Sequence, residues 1–320
     1  MRRRQPAATT DPRPADLPAL DPTLAAAVRA LTGVSWSRAR ELCTSGRVTV
    51  DGARAVDPAL RVAPGAVVDV DASAPRQRSG ALAPDAILYA DADVVVVDKP
   101  AGMLTVPAEP GDHGTLADHV RTLLRATGRG DTALGVVQRL DRDTSGVMLF
   151  TRNAHAKRVL AADFRGHDIG RTYHAIAHGR VGAGRCETLL VADRGDGLRG
   201  SYGHFRRAKG PPPADAKRAV THIVPLATLN GATCVECRLE TGRQHQIRIH
   251  LSELGHPVAG ERVYIRDFPG PCIDAPRTML HARTLGFAHP RSRRTLSFTA
   301  EPPADFRALL AALAVAPEGT

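Results

Sequence analysis

The sequence predicts an α+β protein: a large domain built on a mixed, mostly antiparallel sheet, preceded by a small α/β unit. Three observations carry this. Strand-like segments come in runs, with few long helices between them, which argues against a doubly wound parallel sheet. Two uninterrupted apolar stretches, Val94-Val95-Val96-Val97 and Val147-Met148-Leu149-Phe150, read as strands covered on both faces. Residues 72–83, with Pro75-Arg76-Gln77-Arg78-Ser79-Gly80, have linker composition and separate a compact first segment from the rest.

Charge narrows the class of partner. Lys and Arg outnumber Asp and Glu by 43 to 33 in 320 residues, a net charge of +10, and the pI is near 10.0. Such a balance points to a polyanion, with nucleic acid first. Cys43, Cys186, Cys234, Cys237 and Cys272 are too scattered for a disulfide framework, so a reducing cytoplasm is expected. No apolar run approaches the roughly 20 residues of a membrane span, and Arg2-Arg3-Arg4 are followed by no apolar stretch, so neither a membrane partner nor a secretory leader is expected. Residues 1–18, rich in Pro, Ala, Arg and Asp, read as a disordered basic tail.

In chain order, residues 19–72 form the first unit. Leu24 to Leu31 is a short helix stopped by Gly33. Ser35 or Ser37 caps a second, Trp36 to Cys43, ended by Gly46. Arg38 and Arg40 lie on that helix, and Arg47 just past it. Arg47 to Val50 alternates as a strand into Asp51-Gly52, a hairpin turn, and Pro64-Gly65 leads to another strand through Val70. After the linker, assigned to 73–84, the large domain is expected over 85–314. Ile87-Leu88-Tyr89 and Val94 to Asp98 are strands flanking a turn. Thr115 to Thr127 and Asn153 to Arg165 have helical spacing, the latter with Val159, Leu160 and Phe164 inward. Arg171 to Ala177 alternates as a strand. Asp193 to Lys217, with Pro211-Pro212-Pro213, reads as a long basic loop, hairpin or insertion. Ala219 to Leu226 and Gly231 to Leu239 are strands, His245 to Leu251 a helix, Leu296-Ser297-Phe298 a late strand and Asp305 to Ala314 a closing helix.

Among residues able to carry chemistry, Asp141 stands out in Arg139-Leu140-Asp141-Arg142-Asp143-Thr144-Ser145-Gly146, at the entrance to an apolar strand. Local sequence alone favours a structural ion pair with Arg139, Arg142 or a distant arginine. Against that stands the Thr-Ser-Gly that follows, whose hydroxyls and glycine suit a tight turn and close substrate approach. A carboxylate held by an arginine can act as a nucleophile or stabilise a cationic centre. Other signals are weaker. Cys234 and Cys237 have metal-like spacing but no second pair, and three apart on a strand they diverge, so core thiols are the better reading. His245, His250 and His256 lack a zinc-helix pattern and read as RNA-facing or structural. Ser145 is in no G-x-S-x-G turn. Asp143, two residues on, offers a carboxylate pair with Asp141.

The stretch Gln138 to Asn153, QRLDRDTSGVMLFTRN, resembles the central motif of the RluA-type pseudouridine synthases, HRLDxxTSG followed by an apolar strand. ILYADADVVVVDKPAGMLTVP, RTYHAIAHG and LETGRQHQIRIHLSELGHPVAGERVY with LHARTLGFAHP agree in family order, so the likeness covers roughly Ala86 to Ala308. The first unit, through SRAREL, SGRVTVDG and RVAPGAVVDV, resembles the RNA-binding module of ribosomal small-subunit protein four. The resemblance implies the pseudouridine synthase fold and an isomerase that turns specific uridines of structured RNA into pseudouridine without metal or cofactor. It implies Asp141 as the catalytic aspartate, Tyr173 as the residue that stacks on the base and is a candidate for proton transfer, and Arg248 as the basic partner of Asp141. Arg139 would help expose the base, and Leu140 and Ile247 would be apolar wall. Arg38, Arg40 and Arg47, with Arg243 and His245, would meet RNA. In the family the position of Asp143 is variable, which argues against a catalytic role. Ribosomal large-subunit RNA is the favoured substrate and a monomer the expected state. Transfer RNA, or a non-catalytic RNA-binding or ribosome-assembly role on the same scaffold, are the alternatives. Two departures stand out. Gln138 replaces the family histidine, and Gly260-Glu261-Arg262-Val263-Tyr264-Ile265 lengthens the acid of Gly-Asp-x-x-Tyr-Gly and loses its last glycine, which puts substrate choice in question.

Overall fold

Thr23 opens the first helix. Its hydroxyl accepts from Ala26 N at 3.2 Å, and α1 (Leu24–Thr32) runs until Gly33, in the left-handed region, turns the chain out. Of the two serines offered as the next cap, Ser35 serves, accepting from Arg38 N at 3.2 Å at the head of α2 (Trp36–Thr44). Then come β1 (Val48–Val50), β2 (Ala53–Arg54) and β3 (Val68–Val70), antiparallel in the order β2-β1-β3. Asp51 and Gly52 both have positive φ (51° and 78°), which suits a tight two-residue hairpin. Leu24, Val28, Ala39, Leu42, Cys43 and Val48 close a small core of their own.

This is a computed structural model, and it describes residues 22–56, 58, 60–74, 82–108, 112–130, 133–205, 210–266 and 268–314. The tail assigned to 1–18, most of the assigned linker and part of the 193–217 loop lie outside these. The chain divides into two units, Met1–Gln77 and Arg78–Thr320. No helix among the described residues is long and apolar enough to cross a membrane.

The second unit continues with β4 (Ile87–Ala90), β5 (Val94–Lys99), α3 (Leu116–Ala126), β6 (Gly135–Val136), β7 (Ser145–Thr151), α4 (Ala154–Gly166) and β8 (Gly170–His178). There follow β9 (Gly184–Val191), β10 (Gly200–Ser201), β11 (Lys217–Leu229), β12 (Ala232–Leu239), α5 (Gln246–Glu253), β13 (Leu280–Ala288), β14 (Thr295–Thr299) and α6 (Ala304–Leu313). They build one sheet in the order β10-β9-β11-β12-β8-β13-β7-β5-β4, with β14 added to β13 and β6 to β7. Among the described residues only β7 and β13 run parallel, so the expected mixed, mostly antiparallel α+β architecture is what forms. Strand β9 was not legible. Its Gly184-Arg185-Cys186-Glu187 start is polar and mostly exposed, and it becomes a strand through its pairing with β11.

The four-valine run shows how the sheet is covered on both sides. Val95 and Val97, with Met148 and Phe150 of β7, pack into a core shared with α3, α5 and α6. Val94 and Val96, with Val147 and Leu149, face the core under α4. Gly146 has a reason different from the expected one. Its φ is +111°, and a Cβ there would overlap the Ala282 carbonyl. The glycine lets β13 lie against β7; it does not open a path for substrate. Asp91, Asp93 and His289 come close enough to suggest a metal, but Arg291 takes Asp93 through both oxygens (2.8 and 2.9 Å) and Asn153 adds a third bond. The group pins the β4–β5 turn to the segment after β13.

Two buried histidines tie the sheet together. His250 lies between Thr221 and Thr188 hydroxyls (2.9 and 3.0 Å), and His281 between the Ser145 hydroxyl and the Ala300 carbonyl (3.0 and 2.9 Å). Burial pulls both imidazoles down to a pKa of about 4. Between that value and the unfolded value near 6.5, the unfolded chain binds more protons. Their contribution to stability is therefore complete above about pH 7 and is lost as pH falls toward 4, by roughly 3 kcal/mol each. Urea midpoints measured from pH 7.5 to 4.5 are expected to fall, and less steeply for His250→Gln; a flat profile would contradict the burial of neutral rings.

Candidate active site

The loop 140–144 is fixed before any side chain in it is considered. Each of its five carbonyls has a donor. Thr105 Oγ1 donates to Leu140 O (2.9 Å), Thr144 N to Asp141 O (3.2 Å), Lys99 Nζ to both Arg142 O and Thr144 O (2.8 Å each), and Arg277 Nη1 to Asp143 O (2.8 Å). Lys99 ends β5, is 0% exposed, and gives its third bond to Pro100 O at 3.0 Å. Burial pulls its pKa down to about 7, against the opposing charges of Asp143 and Asp141. Arg277 is held in turn by both oxygens of Asp305 (2.6 and 3.1 Å), at the start of α6. Ser145 is buried, and its hydroxyl is engaged by His281.

On this fixed loop Asp141 points its partly exposed carboxylate (26%) at α5. The arginine across from it is the distant Arg248, not Arg139 or Arg142. Arg248 Nη1 donates to Asp141 Oδ2 at 3.3 Å. Arg248 itself is anchored by Glu261, which receives Nε at 2.6 Å and Nη2 at 2.8 Å in a forked pair. The Glu261 side chain is completely buried, and its Oε1 also accepts backbone N–H bonds from Arg262 and Val263 (3.0 and 2.8 Å). Burial opposes charge on both members of this pair, but their mutual bonds prevail. The Arg248 pKa is raised, with Asp141 adding to it, and the Glu261 pKa is lowered. The lengthened acid of the Gly260 to Ile265 motif thus belongs to the arginine that faces Asp141, and only its position in sequence beside Tyr264 hinted at this.

Three rings surround the carboxylate. Tyr173, on β8, is buried in the main core with Leu140 and Ile247. Burial raises its pKa and the charge of Asp141 adds to this, against Arg171, so the phenol stays protonated. His245 precedes α5 with φ of +58°, which brings Nε2 to 3.8 Å from Asp141 Oδ1 and Nδ1 to 2.7 Å from the Tyr264 hydroxyl. Burial lowers its pKa, only partly offset by Asp141, leaving a neutral ring. Tyr264 lies under the Arg248 guanidinium, 5.3 Å from Cζ to the ring centroid. Tyr264 and Lys99, like Glu261, Thr105 and Arg277, are side chains of the site that sequence reasoning gave no role. A tyrosine inside an otherwise recognised motif and a lysine ending a buried strand were the available signals.

The other sequence candidates fall around this centre. Arg139 is exposed. The neighbouring Gln138 keeps Nε2 buried with no partner in the protein. Arg243 lies before α5 and donates from Nε to Arg218 O at 3.0 Å. In the first unit Arg38 is paired with Glu41 at 2.6 Å, Arg47 donates to Ala74 O at 2.7 Å, and Arg40 is exposed. Cys234 and Cys237 are buried core thiols, pushed upward in pKa by burial, Cys234 to about 11.

The mixed sheet thus presents a carboxylate on a fixed loop, facing an arginine anchored by a buried acid, and likeness to known families says which class of enzyme builds it. RNA pseudouridylate synthase matches residues 93–253, and the S4 domain matches residues 24–68. The chain belongs to the RNA pseudouridine synthases, isomerases that convert uridine to pseudouridine within RNA. It is 34% identical over 300 residues to ribosomal large subunit pseudouridine synthase D of Zymomonas mobilis, covering 89% of this chain and 91% of that one. It is 34% identical over 291 residues to an uncharacterized RNA pseudouridine synthase of Bacillus subtilis, covering 88% and 91%. In fold it is similar to human RNA pseudouridylate synthase domain containing 4, with a TM-score of 0.56 over 70% of this chain and 90% of that one, at 22% identity.

Two substitutions test this construction. Lys99→Met leaves the Arg142 and Thr144 carbonyls without donors, and is expected to cost about 3 kcal/mol in urea unfolding as well as most of kcat. Glu261→Gln weakens the anchor of Arg248. It is expected to lower kcat about tenfold or more with little change in KM, because the arginine supports the carboxylate rather than ground-state RNA binding. Wild-type kcat in either folded variant would contradict the scheme.

Proposed function

We propose that the chain isomerises specific uridines in ribosomal large-subunit RNA, with Asp141 as the catalytic carboxylate. The observation that carries this is the placement of Asp141 on a loop with every carbonyl from 140 to 144 bonded, facing an arginine anchored by a buried acid. In the reaction the bond from nitrogen-1 of uracil to the ribose anomeric carbon breaks, the base turns, and carbon-5 bonds to that same carbon. The carbon-5 proton leaves and nitrogen-1 gains one, so no redox partner is required. Asp141 meets the electron-poor anomeric carbon. Arg248 orients it and balances its charge. Tyr173, protonated in its apolar setting, offers a flat face to the base and one hydroxyl. Leu140 and Ile247 wall the pocket, keeping water from the detached uracil.

A uridine within folded RNA must leave its stack to reach this pocket, at a cost of a few kcal/mol. Arg139, exposed beside the loop, helps hold the base out, and Arg243 and His245 line the approach. Arg38, Arg40 and Arg47 of the first unit supply phosphate contacts that offset the cost. Arg40 is the most available of the three, since Arg38 and Arg47 already have partners within the protein. The substrate assignment is supported by relatives named for the ribosomal large subunit over most of their length. Action in the cytoplasm, as a monomer, completes the proposal; the free state of all five cysteines fits the reducing compartment.

RNA labelled with tritium at carbon-5 of uridine tests the assignment. Wild-type protein is expected to release tritium and Asp141→Ala to release only background; equal release by both would refute a catalytic Asp141. A pseudouridine map of RNA from cells lacking the protein is expected to lose positions in large-subunit RNA, and losses confined to transfer RNA would overturn the substrate.

A further inference from the structure

Trp36 is the one tryptophan of a chain in which only 4% of residues are aromatic. A lone tryptophan in a small unit usually fills the core, where its large ring gains most from leaving water. Here it stands in the first turn of α2 with 46% of its surface exposed, while the core beneath is closed by aliphatic side chains. Exposure of a single apolar residue is common and carries nothing by itself. The surroundings of this one are specific. Arg29, exposed in the last turn of α1, holds its guanidinium carbon 5.0 Å from the ring centroid. Arg40, also exposed, lies four residues after Trp36 and so on the same face of α2. An aromatic ring with one cation against it and a second on the same helix face suits single-stranded nucleic acid, since every base has a π face and every nucleotide a phosphate.

We propose that Trp36 is a stacking platform for an unpaired base of the RNA substrate, with Arg29 and Arg40 engaging the adjoining phosphates. This rests on RNA being the substrate and goes beyond it, because it assigns the first unit a preference for unpaired over fully paired RNA. Arg29 can remain stacked on the indole and still direct its edge N–H groups to phosphate. The net charge of +10 supplies long-range attraction, and the ring supplies discrimination between strand states.

The single tryptophan makes the test direct, because all indole emission of the full chain comes from this position. The protein is titrated with a single-stranded ribo-oligonucleotide of mixed sequence and with a paired duplex of equal length, binding being followed separately by anisotropy of a dye on the RNA. Single-stranded RNA is expected to quench Trp36 and shield it from acrylamide, and the duplex to do neither at equal occupancy. Trp36→Leu, which keeps apolar bulk against α1, is expected to lose about tenfold in affinity for single strands, and Trp36→Phe to stay within about threefold of wild type. RNA that binds with emission, acrylamide access and Trp36→Leu affinity all unchanged would overturn the platform and leave RNA binding standing. Equal shielding by the duplex would reduce the site to phosphate contact and overturn it. Shielding by ribosomal particles but not by their protein-free RNA would make the surface a protein contact and overturn it. Absence of any RNA binding by anisotropy would overturn it together with the broader reading.

Discussion

The ammonium of Lys99, fully buried and bonded to three backbone carbonyls, is the constraint on which the rest of the site depends. A buried cation is costly by several kcal/mol unless its donors are all used, and backbone carbonyls of an irregular loop are costly when they lack donors. Each defect cures the other. The loop can follow an irregular path under the sheet because Lys99 is there, and Lys99 can be there because the loop turns its carbonyls inward. Thr105 and Arg277 complete the arrangement from two other parts of the chain. Asp141 thereby projects from a rigid base.

A second layer acts on the other side of the carboxylate. Arg248 makes its shortest bonds to Glu261, not to Asp141. The arginine is therefore already neutralised and positioned, and its remaining donor reaches Asp141 at 3.3 Å. This leaves the carboxylate oriented but not tied in a close forked pair, and still partly open. His245, held in a left-handed backbone conformation, adds a neutral ring at the other oxygen. The carboxylate is thus held in place without being locked in a strong ion pair.

Much of this architecture was legible in the residues, for reasons that differ by element. The valine run of β5 and the apolar half of β7 were readable because burial on both faces leaves no polar position to confuse the period. Of the helix caps, Ser35 was read as one of two serines ahead of apolar spacing, while those at Thr23, Thr115 and Asn153 emerge from the structure. Strand β9 was hidden because its outward face is polar and only its partner defines it. Asp141 and Arg248 were found through motif likeness, since no local pattern links residues 107 apart. Lys99 and Glu261 were the harder cases. A lysine and a glutamate normally sit in water, and only three-dimensional closure reveals that these two are interior. Gly146 was noticed for the right property and given the wrong neighbour: the freedom it provides is used by the Ala282 backbone.

The contact of Arg277 with Asp305 and with the Asp143 carbonyl has a bearing on how the enzyme comes into being. Lys99 is made early and Asp305 late, so the supports of a single short loop are drawn from positions 206 residues apart in order of synthesis (305 − 99). Such long separations slow closure. A growing chain that has passed β7 carries Asp141 but lacks the arginine, the acid and the last helix that steady it. The bonded supports of the 140–144 loop are therefore complete only once the residues of α6 have been added.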